Sequence, residues 1–349
     1  MTTTYQTAED AIAYLTTVLP AAPSAGLQQM VTDLMATGLP ISFESVAGSP
    51  MGTALVRADG IVIGLADVPL NEGVVGHELA HALLETKGWP CLFAAESPDH
   101  WVGRIQKTLS SLLDHSAGIA LQRTYGIDCE PYEQLLLDKQ QAAMELLQGK
   151  SSVLNTMEMT AEQELEYGVG LALAAVERFW RTNIVPADFI RAMELFPGSH
   201  ALFIAITDMV PAGTPTQGWA ARQLMGMIVE RLDDYMEIKG DVRPVMVLSH
   251  FVPGIHPDDA PEALGNVARL VMVPLSTDVP GEHSILILPN RDGLPFGFRQ
   301  VLADNDIMQD FAERVVHAPF GAFCRALVPE AFCFWQPEGP SQLPQPALA

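Results

Sequence analysis

The segment GVVGHELAHALLE, which covers Gly73 to Glu85, carries two histidines four residues apart, His77 and His81. On an α-helix this separation is one turn, about 40° around the axis, so both imidazoles point to the same side and can bind one metal ion. Glu78 follows the first histidine directly and is rotated about 100° from it. The pattern therefore predicts a metal-binding helix that also presents a carboxylate.

Hydrolysis is the chemistry expected of such a helix. Imidazole nitrogens suit zinc, which in catalytic sites has three protein ligands and one open position. We expect Glu78 to act as general base, taking a proton from the water that the metal activates and giving it later to the leaving group. The flanking residues are apolar, which predicts a buried helix. An ordinary helix with two histidines and a metal without catalysis are the alternatives.

The neighbouring residues predict an α+β arrangement. Two helices are expected within residues 6–38, followed by a strand at Ile41–Val46. The run Thr53–Leu65 is rich in Val and Ile and contains Ala58-Asp59-Gly60, a hairpin turn signal. Asn71 is placed to cap the helix with the two histidines. Further helices are expected at about 72–87, 100–125, 131–148, 157–196 with a break at 186, and 216–239.

A helical start, an antiparallel sheet, the HELAH helix and a second helix resemble the core of the zincin metallopeptidases. The minimal gluzincin-like group, which includes the IrrE/ImmA-type peptidases, is the most similar. The resemblance covers about residues 40–130, a quarter of the chain. It implies a zinc-dependent peptidase in which Glu78 is the base, and it implies nothing about the remaining residues.

The third zinc ligand is expected on the second helix. Gluzincin-like proteins usually supply a glutamate there, but WVGRIQKTLSSLLDHSAGIALQRTYG contains none, and its candidates are Asp114 and His115. One apolar stripe runs along this helix, formed by Ile105, Leu109, Leu112 and Ile119. At 100° per residue His115 flanks that stripe, whereas Asp114 lies nearly opposite to it. We therefore predict that His115 completes a three-histidine site.

Several alternatives stay open around this site. Asp114 is the next choice as ligand, or as a partner that orients an imidazole. The loop residues Glu96, Asp99 and His100 could also approach the metal. Tyr125 and Arg123 are candidates for stabilising a developing oxyanion, since both carry hydrogen-bond donors.

Composition limits the partners. The chain has 349 residues with 19 Lys+Arg against 42 Asp+Glu, a formal charge of -23, which disfavours nucleic acid and anionic lipid. No apolar run approaches the ~18 residues of a membrane span, and no signal peptide is expected. The four cysteines form no CxxC pair and are expected to be free thiols in a reducing compartment, which predicts a cytoplasmic location. A peptide or protein is the expected substrate, and the oligomeric state is open.

Four segments are expected along the chain. They are a zincin-like metallopeptidase domain at 1–150, a helical region at 151–240, a small α/β domain at 241–336 and a disordered, Pro-rich tail at 337–349. Short Val/Ile/Leu runs predict strands in the third segment: RPVMVLSHF, ARLVMVPLS and HSILILPNR. A helix is expected near 307–318. The alternative function is a catalytically inactive zincin-like protein in which the metal is structural and the acidic surface binds a partner.

Overall fold

The structure is a computed structural model that combines helices with two small sheets, in agreement with the predicted α+β class. It describes residues 3–46, 52–57, 60–66, 70–86, 89, 101–138, 140–141, 160–196, 198–209, 218–239, 258–274, 282–291, 296–301, 309 and 313–327. The loop candidates Glu96, Asp99 and His100, the predicted strand RPVMVLSHF and the predicted tail lie outside these residues.

The elements before residue 130 carry the two histidine-bearing helices. In chain order they are β1 (Thr3–Tyr5), α1 (Ala8–Val18), α2 (Ala25–Met35), β2 (Ile41–Val46), β3 (Thr53–Arg57), β4 (Gly60–Ala66), α3 (Glu72–Thr86) and α4 (Trp101–Thr124).

The elements from residue 130 onward are mainly helices and end with a second sheet. They are α5 (residues 130–138), α6 (Ala161–Thr182), α7 (Ala187–Met193), α8 (Ser199–Met209), α9 (Gly218–Lys239), α10 (Leu264–Val267), β5 (Ala268–Pro274), β6 (Glu282–Pro289), β7 (Phe296–Val301) and α11 (Phe320–Leu327). The sequence did not predict β1, α8, α10, β7 or α11.

The first sheet has the strand order β1-β2-β4-β3. The predicted hairpin is confirmed, because β3 and β4 are antiparallel and Arg57 lies opposite Gly60. However, β2 and β4 run parallel, so the prediction of a wholly antiparallel sheet is wrong for this pair. Ile61 and Ile63 of β4 are fully buried, whereas Leu55 of β3 is 44% exposed. The more apolar strand of the hairpin therefore takes the central position, next to β2, and leaves β3 at the edge.

Helix α3 is buried along nearly its whole length, as its apolar flanks predicted. Its N-terminus is capped by Asn71, whose Oδ1 accepts a hydrogen bond from the backbone N–H of Val74 at 2.9 Å. The helix packs against α2, α4 and the first sheet. Side chains on its α4-facing side therefore lie between the two helices.

Helices α4 and α6 run parallel to each other. Arg104 pairs with Glu166, and His115 pairs with Glu177, and both contacts have the same separation of 62 residues in sequence. Helix α6 begins with a capping box between Thr160 and Gln163. Helix α6, in the segment predicted at 151–240, therefore packs on α4, in the segment predicted at 1–150. The predicted limits of these segments stay a prediction.

The second sheet is antiparallel with the order β5-β6-β7. Two of the predicted C-terminal strands are confirmed as β5 and β6. Of the helix predicted near 307–318, the described residues 309 and 313–316 are helical. Among the described residues, no helix has the length and apolarity that a bilayer crossing requires.

Candidate metal centre

Helices α3 and α4 bring His77, His81 and His115 to one place. One ring nitrogen from each lies within 4.8 Å of the others. The ring centroids are 4.4 Å apart for the pair on α3, and 5.4 and 5.8 Å from each of these to His115. Nitrogens around a tetrahedral zinc with bonds of about 2.0–2.1 Å are roughly 3.4 Å apart, so the three histidines form a group that could hold one ion.

A glutamine on α4 fixes the tautomer of His77. Nε2 of Gln122 donates to the carbonyl of Gly73 at 2.8 Å, so Oε1 of the same amide faces the imidazole. That oxygen lies 3.1 Å from Nδ1 of His77, which must carry the proton and donate it. Nε2 of His77 consequently retains its lone pair, as a metal ligand requires.

The state of the imidazoles fits a bound cation. Nε2 of His77 is buried and has no hydrogen-bond partner in the described part of the chain. Burial, followed by the neighbouring histidines, lowers the pKa of His77 well below its usual value. Burial and His115 lower the pKa of His81 to about 3. Neutral imidazoles with an unpartnered nitrogen are the donor set that a divalent transition metal takes.

A carboxylate on α6 supports the third histidine. Oε1 of Glu177 lies 3.3 Å from Nδ1 of His115, and its Oε2 accepts a hydrogen bond from Nε2 of Gln140 at 2.7 Å. Burial by itself raises the pKa of Glu177, but the contact with His115, the charge of Arg181 and the bond from Gln140 outweigh it and leave the pKa lowered. Glu177 is therefore ionised, and its bond to Nδ1 leaves Nε2 of His115 for a metal.

The sequence did not single out Gln122, Glu177 or Gln140. Gln122 lies seven residues after His115, on the same face of α4, which was a usable signal. Glu177 and Gln140 carry no such signal, because they reach the site only through the packing of α4 against later residues.

Other predicted candidates have partners elsewhere. Asp114 accepts a hydrogen bond from Nε1 of Trp89 at 2.6 Å and is not in the histidine cluster. The hydroxyl of Tyr125 donates to Asp33 at 2.6 Å. Arg123 forms an ion pair with Glu133 at 2.8 Å. Both side chains therefore have partners outside the histidine cluster, and their roles near an oxyanion stay a prediction.

Glu78 is buried beside the cluster with only 4% of its surface exposed. A Cβ on Gly52 would lie 2.5 Å from Cγ of Glu78, so only a glycine before β3 leaves room for this side chain. Burial raises the pKa of Glu78 to about 8. A carboxyl whose proton affinity is raised in this way can accept and release a proton near neutral pH.

The aromatic ring of Tyr132 on α5 covers the site. It stacks on His77 with ring centroids 3.5 Å apart and an interplanar angle of 20°. Its hydroxyl is buried without a hydrogen-bond partner among the described residues. Burial, and then the nearby Glu78 and Glu177 carboxylates, raise the pKa of Tyr132, so the phenol stays protonated and remains a donor. Tyr132 was not predicted from the sequence, because it lies on a separate helix.

A glycine on α4 permits the close approach of the two helices. A Cβ on Gly118 would lie 3.2 Å from Cε1 of His77, which is tighter than most real contacts. The histidine ring therefore fits against α4 because this position has no side chain.

Comparisons with known proteins do not place the chain in a family. A scan against protein-family models matches none, and searches of curated proteins and of solved structures find no significant match.

Proposed function

We propose that the protein is a zinc-dependent hydrolase with a zincin-like core, and that it is a metallopeptidase with Glu78 as general base. The observation that carries the proposal is the cluster of His77, His81 and His115, whose ligand nitrogens lie within 4.8 Å of one another. Glu78 is the residue next to the first of these histidines. Three imidazoles that leave one coordination position open, beside a proton acceptor, are the parts of a hydrolytic zinc site.

Zinc suits this donor set because imidazole nitrogens match its ligand preference, and when bound it supplies a Lewis acid that polarises a carbonyl and activates water. The chain's own residues hold and move the protons. Gln122 and Glu177 keep Nδ1 of His77 and of His115 protonated. Glu78 accepts a proton from the attacking water and passes it to the leaving nitrogen. The Tyr132 hydroxyl can donate to the oxygen on which charge develops.

One observation favours a second candidate, a structural metal without catalysis. His77 is fully buried and Glu78 is only 4% exposed. A metal in such a site would join α3 to α4 and stabilise the fold. Structural zinc sites are usually closed by four protein ligands, whereas the described residues bring three histidines together. The two candidates differ in whether Glu78 is needed for hydrolysis.

The test begins with metal analysis of the purified full-length protein, where one zinc per chain is expected. Wild-type protein is then incubated with a peptide library and cleavage is followed by mass spectrometry. Glu78→Gln is expected to retain zinc and to lose cleavage by about 10³-fold or more. Glu130→Gln, at an exposed position of α5, is the matched control and should behave as wild type.

Two results would contradict the proposal. Absence of zinc and of any other divalent metal would remove both candidates. Zinc bound to a wild-type protein that cleaves no peptide would favour the structural metal.

A further inference from the structure

A half-open cavity of about 240 Å³ lies between α4 and α6, away from the three histidines. One end is formed by Arg104 and Glu166, whose Nη2 and Oε2 are 2.6 Å apart. The contact between His115 and Glu177 comes eleven residues further along both helices, roughly 16 Å at 1.5 Å per residue. The cavity therefore occupies the groove between the surface ion pair and the metal centre.

Small side chains on α6 keep this space open. Gly170 and Ala174 line the cavity, and a Cβ built on Gly170 would meet no atom within 4 Å. A glycine in a helix interior destabilises the helix relative to alanine. Here it has neither a positive φ nor a close neighbour that would require it. Because Gly170 has no side chain, it leaves open space next to α4.

The chemistry of the walls selects for an uncharged ligand. Ile105, Leu171 and Phe189 present apolar surface. The charge of Arg104 is balanced by Glu166, and the hydroxyl of Thr108 donates to a backbone carbonyl of its own helix at 2.9 Å. A charged ligand would lose hydration without gaining a counter-charge, whereas an apolar one gains from burial.

We propose that this cavity is a binding site for a compact, uncharged, apolar molecule about the size of a bicyclic aromatic ring. The scale follows from engineered cavities, in which about 150 Å³ lined by apolar side chains binds benzene. A cavity of about 240 Å³ holds a correspondingly larger molecule.

The occupant would touch the support of the metal centre. Gln140 lines the cavity and donates from Nε2 to Glu177 at 2.7 Å, and Glu177 in turn contacts His115. A ligand that moves the Gln140 amide changes how firmly His115 is oriented. This coupling rests on the proposed metal site, whereas ligand binding itself does not.

The binding experiment uses indole as probe and isothermal titration calorimetry of the full-length protein, with chelator present so that no metal is involved. A dissociation constant on the order of 0.1–1 mM is expected. Indole-3-carboxylate, which adds a charge, is expected to bind at least tenfold more weakly. Gly170→Leu fills the cavity and should reduce indole affinity at least tenfold, while Gly170→Ala, which adds one methyl group, retains most of it.

Gly170→Leu is expected to fold, because leucine favours helix and the added Cβ meets open space. Circular dichroism and thermal unfolding check this. Absence of indole binding by wild type, or equal affinity in Gly170→Leu, would overturn the binding site.

The coupling is measured as the affinity for Co²⁺, by its visible spectrum, with and without saturating indole. At least a threefold change is expected in wild type, and none in Gln140→Ala. An unchanged Co²⁺ affinity in wild type overturns the coupling alone. Absence of Co²⁺ binding refutes the metal site, and with it the coupling, but leaves the indole result intact.

Discussion

Nδ1 of His77 on α3 lies 3.1 Å from Oε1 of Gln122 on α4. The same amide donates to the carbonyl of Gly73 at 2.8 Å, in the first turn of α3. One side chain therefore joins the two ligand-bearing helices and leaves the other nitrogen of His77 to a metal. Helix α4 therefore sets the orientation of the His77 ring. Among the described contacts, no group of α3 accepts a hydrogen bond from Nδ1 of His77.

Gln122→Met keeps the length of the side chain but removes both hydrogen bonds. We expect metal affinity to fall about 10–100-fold, because the tautomer and ring orientation of His77 are no longer fixed. The measurement is a Zn²⁺ or Co²⁺ titration in competition with a chelator. Gln134→Met, at an exposed position of α5, serves as control. Equal affinities in the Gln122 variant and wild type would show that this support is dispensable.

Gly118→Ala and Gly170→Ala make the same change in two helix interiors with opposite surroundings. At Gly118 the new methyl would lie 3.2 Å from the His77 ring, so that ring must shift and metal affinity should fall at least fivefold. At Gly170 the methyl meets open space, so metal affinity should stay the same and stability should rise by about 0.5–1 kcal/mol. Metal titration and denaturant unfolding of both variants test this contrast. An equal loss of metal affinity in the two variants would contradict it.

Tyr132→Phe retains the ring that stacks on His77 and removes only the buried hydroxyl. We expect metal affinity within about threefold of wild type and a gain of about 1 kcal/mol in the stability of the metal-free protein, because an unpartnered polar group is removed. If the hydroxyl donates to the developing oxyanion, kcat falls about 100-fold. Steady-state kinetics and chemical unfolding measure the two effects. A Phe variant with full activity would exclude the hydroxyl from catalysis.

Glu85→Gln tests a partly buried carboxyl one turn beyond His81. Oε2 of Glu85 accepts a hydrogen bond from the backbone N–H of Val56 at 3.2 Å, and glutamine can preserve this bond. Burial, and then the nearby Asp114, raise the pKa of Glu85 to about 8. The folded state therefore holds this proton between about pH 4.5 and 8, where the unfolded chain releases it.

Because the folded protein keeps this proton at pH values where the unfolded chain releases it, the free energy of unfolding falls as the pH rises from about 4.5 to 8. The stability of Glu85→Gln relative to wild type should consequently increase from pH 5 to pH 8, and its melting temperature relative to wild type should rise with it. Thermal unfolding of the metal-free proteins in a pH series measures the difference. A difference that is constant with pH would show that Glu85 has an ordinary pKa in the folded protein.

The sequence predicted the elements around the site well where local signals were strong. The HELAH helix, its Asn71 cap and the β3–β4 hairpin depend on periodicity, capping and turn chemistry within a few residues. The parallel pairing of β2 with β4 was not predictable in this way, because no local turn joins the two strands and Ile41 meets Ile61 only in the folded sheet. Helices α8 and α11 were also missed.

The sequence by itself determined that His77 and His81 share one side of a helix. It also determined that His115 flanks the packed face of the next helix, which contains no glutamate. Only the tertiary structure decided that Gln122 and Glu177 orient these rings and that Tyr132 covers them. The reason is the range of the forces involved. Helix periodicity is fixed by local backbone geometry, whereas Glu177 lies 62 residues from His115 and reaches it only through the packing of α6 on α4.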